Sequence, residues 1–151
     1  MNVLLNDTRL VRGKHESTRT LQMKDKVTLA ITSLLSMLFF AFHWVDEIAR
    51  GLEPGGVSGL GGVLILVVWL CGTLMLAERR SGYIIMLLAS IGGLGVLVLH
   101  MRGVGLAGGR IAHTTGIFFW VWNLIALGVT STFSAILSAR GLWSLQRGQS
   151  R

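Results

Sequence analysis

Four long apolar runs, at 27–45, 57–77, 83–101 and 114–139, constrain this chain more than any other feature. The first three are close to the 20 or so residues that carry an α-helix across a hydrocarbon core of about 30 Å. The fourth is longer and must tilt or run past the interface. A backbone in lipid has to satisfy its own polar groups, so runs of this kind are helices. A β-barrel would need shorter segments of alternating polarity, and the sequence has none. Composition agrees: of 151 residues, 52% are apolar and 14% charged, against about 25% charged in soluble domains. Mean hydropathy is +0.64, more apolar surface than a core of this size hides from water. The expected fold is all-α, a polytopic transmembrane four-helix bundle.

The formal charge of +7 is distributed unevenly between the two sides of such a bundle. One side holds Arg9, Arg12, Lys14, Arg19, Lys24 and Lys26 before the first run, Arg79 and Arg80 between the second and third, and Arg140, Arg147 and Arg151 after the fourth. The other side holds Arg50, Arg102 and Arg110. The positive-inside rule then predicts both termini in the cytoplasm, an N-in/C-in protein of an inner membrane. The chain divides accordingly into a basic arm at 1–26, a transmembrane domain at 27–139 and a cytoplasmic tail at 140–151. The bulky Phe42-His43-Trp44 that ends the first run is no cleavage site, so that run is expected to be an uncleaved anchor. Val3, Leu4, Leu5, Leu10 and Val11 give the arm two readings, a segment lying on the membrane surface or a partly disordered tail. No basic stripe is interleaved with aromatics, so nucleic acid is not an expected partner. The single cysteine, Cys71, sits in an apolar run and is read as a small buried hydrophobe.

Small residues allow close approach of helices in lipid. Gly55/Gly59 and Ser58/Gly62 are four apart at the start of the second run, and Ala89/Gly93 in the third, beside Gly92 and Gly95. The fourth carries Asn123, Thr130, Ser134 and Ser138, and the first Thr32 and Ser36. These stripes are expected to pack within the bundle, or else against a second copy or a partner subunit. Trp44, Trp120, Trp122 and Trp143 lie toward run ends, where tryptophan anchors at the interface. Pro54, the only proline, falls in a loop, so no helix should be kinked by one.

One constellation carries chemistry. His43, Asp46 and Glu47 stand at i, i+3 and i+4 and share a helix face. His100 ends the third run near the same depth, His113 opens the fourth, and Glu53 lies in the loop between the first two. The plain reading is a set of interface groups, with Asp46 or Glu47 paired to Arg50 and Arg102 joining them, and no cofactor. The first functional reading is a metal site on His43, Asp46, Glu47, His100 and His113, since imidazole with carboxylate suits zinc, iron or copper. The second is a b-type haem on His43 and His100, with Gly92, Gly93 and Gly95 leaving room for the ring. No phosphate-binding loop, serine triad or His-Glu-x-x-His pair exists. The helices carry no charge at mid-depth, which argues against a pump with a buried carboxylate.

At His43-Trp44-Val45-Asp46-Glu47-Ile48-Ala49-Arg50-Gly51, at Glu78-Arg79-Arg80-Ser81-Gly82 and at Ala139-Arg140-Gly141-Leu142-Trp143, the chain resembles small bacterial four-helix inner-membrane proteins. The resemblance covers most of the chain and implies the fold but no activity. Together these readings predict a non-enzymatic accessory or interaction subunit of a membrane complex. The alternatives are a redox or metal-binding membrane protein, and a small transporter or channel lined by Thr32, Ser36, Asn123 and Ser134.

Overall fold

The computed structural model describes residues 2–52, 59–103 and 115–149, with side chains over 16, 20–52, 59–101 and 115–148. Four helices follow one another: α1 (Asn2–Ala49), α2 (Leu60–Leu74), α3 (Arg80–Gly103) and α4 (Ile117–Gln149). There is no strand among the described residues. Three of the helices are long and apolar enough to cross a membrane, over Thr20–Ala49, Arg80–Met101 and Ile117–Gly148. The second differs from expectation. Its 15 residues rise about 22 Å, less than a hydrocarbon core of about 30 Å. It stops because Leu76 N–H turns back to the Cys71 carbonyl, five residues earlier, and Arg79 N–H then bonds the Leu76 carbonyl.

Residues 2–26, the basic arm, are helical. They continue the apolar segment of α1 as one unbroken 48-residue helix. The side chains of Val3, Leu4, Leu5, Leu10 and Val11 lie outside the described residues.

α4 packs along both α1 and α3, while α2 touches α1 and α3 but meets α4 nowhere among the described residues. The helices run up and down, so one end of the bundle holds the chain termini and the α2–α3 turn. There Lys26 pairs with Glu78 at 2.8 Å and Arg140 with Asp25 at 3.4 Å. The Lys26 hydrogen bond holds the exposed Glu78 carboxyl below its usual range.

The interior is the reverse of a water-soluble core. Ser33, Ser36, Thr73, Ser90, Asn123, Ser131, Ser134 and Ser138 are buried, whereas Leu64, Leu88, Leu99, Phe118 and Phe133 face outward. Helices that associate in lipid gain from close backbone packing and interhelical hydrogen bonds rather than from burying apolar surface. Both are present. Trp69 Nε1 donates to Ser33 Oγ at 2.9 Å, and Ser33 meets Thr73 at 2.8 Å, linking α1 to α2. Ser90 and Ser134 join α3 to α4 at 2.8 Å. Asn123 Nδ2 donates to the Phe39 carbonyl at 3.0 Å, joining α4 to α1.

The small residues singled out in the sequence take unequal positions. Gly59 and Gly62 lie under the Trp44 ring, and Gly93 faces Ser131 so closely that a Cβ there would stand 2.5 Å from its Oγ. Ala89 is half-buried. Thr130 is half-buried too, bonding the Ala126 carbonyl of its own helix; the fully buried neighbour is Ser131. Gly55 and Ser58 lie outside the described residues.

Candidate functional site

The far end of the bundle is organised by the way α1 stops. Leu52 N–H donates to the Glu47 carbonyl at 2.9 Å and Gly51 N–H to the Ile48 carbonyl at 3.0 Å, the bond pair of a Schellman motif. Gly51 has φ +67°, a left-handed conformation that glycine adopts without Cβ strain. The motif returns Leu52 onto the cluster of Trp120 and Leu124. It thereby fixes the rotation of the turn carrying His43, Asp46 and Glu47.

Neighbours then separate the two carboxylates. Asp46 Oδ2 accepts from Arg50 Nε at 2.7 Å. Arg50 also lies over the Trp120 ring, 5.8 Å from its centroid. Glu47 reaches α3 instead: its Oε1 is 3.1 Å from His100 Nε2 and 3.4 Å from His43 Nε2. One carboxylate oxygen thus faces two imidazoles.

The rings of His43, His100 and Trp120 also pack on one another as a triangle. Centroids are 4.9 Å apart for the two histidines, 4.6 Å for His43–Trp120 and 5.3 Å for His100–Trp120. His43 and Trp120 are buried. Glu47 and His100 keep side-chain exposures of 16% and 21%, so the cluster has access from one side.

The hydrogen-bond pattern restricts what can sit there. His100 Nδ1 lies 2.8 Å from the Val96 carbonyl. A carbonyl only accepts, so Nδ1 carries the proton and the neutral ring presents a bare lone pair at Nε2. Facing it is the Glu47 carboxylate, also an acceptor. Two lone pairs at 3.1 Å repel unless a positive charge, a proton or a metal ion, lies between them. His43 needs the same thing, because neither of its ring nitrogens makes a hydrogen bond. An unmet buried polar group of this kind costs about 1–3 kcal/mol. Trp120 Nε1, in the same triangle, is also without a partner.

The distances suit a small cation. Bonds of 2.0–2.2 Å at tetrahedral angles put ligand atoms about 3.3 Å apart, and two edges of this set are 3.4 and 3.1 Å. All three donor atoms lie within 4.8 Å of one another, so the third edge closes by at most about 1.5 Å. Two imidazoles and one carboxylate leave a fourth position for water or another ligand. The His100 bond to Val96 is the outer contact that commonly orients a metal-bound histidine.

Haem fits less well. Axial histidines stand on opposite faces of a macrocycle, whereas these rings meet edge to face with Trp120 against both. Gly92 and Gly95 border open space away from the bundle, not a slot beside His100.

Of the residues expected at the site, His43, Glu47 and His100 come together, and Asp46 stands aside with Arg50. His113 and Glu53 lie outside the described residues, as does the Arg102 side chain. Trp120, expected to anchor at the interface, is instead buried against both histidines. Its signal was present in the spacing: Trp120, Asn123, Leu124 and Leu127 repeat at three and four residues, the period of an inward face. No protein-family signature, curated protein or solved structure matches this chain.

Proposed function

We propose that this is a polytopic membrane protein that binds one divalent transition-metal ion, zinc being the best fit, on His43, Glu47 and His100. The observation that carries the reading is the convergence of three donor atoms within 4.8 Å of one another, His100 Nε2 and Glu47 Oε1 in contact at 3.1 Å beside a buried His43 whose Nε2 stands 3.4 Å from the same oxygen without a hydrogen bond. A single ion would join all three. The membrane part is supported by three long apolar helices and by an interior more polar than the exterior. Lys24, Lys26, Arg79, Arg80, Arg140 and Arg147 at the termini end support a cytoplasmic position for that end, with the site toward the opposite face.

The test is metal binding by the intact chain in detergent. After stripping with a chelator, it should take up one Zn²⁺ per chain, and Co²⁺ should give the visible absorption of a tetrahedral site. His43→Ala, Glu47→Gln and His100→Ala should each weaken binding at least tenfold. Asp46→Asn should leave it within about twofold, since Asp46 is held by Arg50. Protein that binds no metal, but whose His100 and Glu47 share one proton by NMR titration, would refute the reading in favour of proton handling.

An interaction subunit of a membrane complex is the second reading. Gly61, Gly92 and Gly95 favour it, each leaving open backbone surface on the outside of the bundle. Cysteine placed at Gly92 should then crosslink to a membrane neighbour in cells, and a crosslink-free Gly92→Cys chain would count against it.

A further inference from the structure

At the termini end, a groove of about 580 Å³ opens between α1 and the last turns of α4. Its apolar walls are Leu29, Leu137 and Leu145, and Tyr83 of α3 closes its inner end. The Tyr83 ring lies flush against Gly141, where any Cβ would collide with it. The rim is basic: Lys26 from α1, with Arg140 and Arg147 from α4. Arg147 is stacked on Trp143, 4.7 Å from the ring centroid.

We propose that this groove binds an anionic phospholipid, with the headgroup phosphate between Arg140, Arg147 and Lys26 and an acyl chain along Leu29, Leu137 and Leu145. The inference rests on the membrane-spanning part of the reading above and is independent of the metal. Three features carry it.

The first is the pairing of an apolar wall with a cationic rim at one depth, which matches an amphiphile with a negative head. Basic pockets between transmembrane helices on the cytoplasmic side are where anionic headgroups bind. The second is charge. Among the described residues Asp25 is the only acidic one lining the groove, and it engages Arg140 at a long 3.4 Å, while Glu78 pairs with Lys26. Lys24, Arg79 and Arg80 add three cations at the same end, so the local field remains positive. The third is size. A bare phosphate has the bulk of a few waters, at about 30 Å³ each, so most of the groove is left for an apolar tail. Trp143, exposed beside the rim, suits the headgroup level where amphipathic rings settle.

The test uses the full chain in a neutral detergent, with phosphatidylglycerol or phosphatidylcholine of identical acyl chains added in parallel. Native mass spectrometry should show one retained phosphatidylglycerol per chain at a level at least fivefold above phosphatidylcholine. Phosphatidylglycerol should also raise the thermal midpoint. Arg140→Gln with Arg147→Gln should abolish the preference, and His43→Ala should keep it. Equal retention of the two lipids would overturn the proposal, as would a preference that survives the double substitution. Equal stabilisation by inorganic phosphate alone would overturn it too, by assigning the rim to a soluble anion. If the double variant loses its helical circular dichroism, the wild-type lipid comparison decides alone. Recovery of the chain from the soluble fraction of a detergent-free lysate would instead refute the membrane reading itself.

Discussion

Alanine at Gly62 and alanine at Gly61 should have unequal effects, although the two sites are adjacent on α2. A Cβ at Gly62 would stand 2.6, 2.7 and 2.8 Å from three carbons of the Trp44 indole, while a Cβ at Gly61 meets nothing within 4 Å. Carbon pairs settle at about 3.5–4.0 Å, so the indole must retreat by about 1 Å. It is a flat, rigid group and cannot bend away. Overpacking of this kind is destabilising by about 1–3 kcal/mol, and replacing glycine in a helix returns up to about 1 kcal/mol at either position. Gly61→Ala should therefore be neutral or mildly stabilising. Gly62→Ala should fall below it by about 1–3 kcal/mol, roughly a 5- to 160-fold change in the folding equilibrium. Reversible unfolding in mixed micelles, titrated with a denaturing detergent and followed by circular dichroism and tryptophan fluorescence, measures the difference. Trp44 follows His43 directly in α1, so Gly62→Ala should also weaken zinc binding and Gly61→Ala should not. If Gly62→Ala proves as stable as Gly61→Ala, the packing of Trp44 on α2 is not as described and the support it gives His43 fails with it.

Gly82→Ala should be more damaging still, because its Cβ would fall on the Leu76 carbonyl and 3.0 Å from the Gly72 oxygen. Backbone there meets backbone, with no rotamer to relieve it, and limited proteolysis should report an opened α2–α3 turn. Ser134→Ala removes the interhelical partner of Ser90 but leaves Ser90 its own bond to the Met86 carbonyl. The loss should be near the membrane average of about 0.6 kcal/mol and below about 1.7 kcal/mol, read from the same detergent titration. Glu78 has a lowered folded pKa, so its contribution is complete above the ordinary carboxylate range and is lost as pH falls through the depressed value. Both partners are exposed, which keeps the effect small, and Glu78→Gln should remove that part of the acid dependence of stability.

How much of this could be read from the residues alone varies by element. α3 follows its apolar run, because hydropathy marks a long apolar helix directly, whereas α4 runs on past its run, through most of the expected tail, to Gln149. The length of α2 did not follow, since its end depends on Gly82 lying against Leu76, a contact between positions that hydropathy averages over. The helical state of 2–26 was hidden for a different reason. The apolar residues of that stretch, at 3–5, 10–11, 21 and 23, are too sparse among the charges to set a sustained helical period, and its helix continues one already begun further along. At the site, the i, i+3, i+4 spacing identified the shared face of His43, Asp46 and Glu47. It could not decide between the carboxylates, because the choice is made by Arg50 taking Asp46 and by α3 bringing His100 to Glu47. For Trp120 the position near a run end points to the interface, whereas its spacing from Asn123 and Leu124 points inward.

The continuity of α1 has a mechanical consequence. From residue 27 back to Asn2 the chain rises about 37 Å without a joint. A floppy tether would let whatever engages the amino terminus roam over a volume; a rod holds it at one radius and sweeps it only as the whole bundle turns. Inserting four residues near position 18 would advance that terminus by about 6 Å and rotate it by about 40°, whereas the same insertion in a loop would change neither.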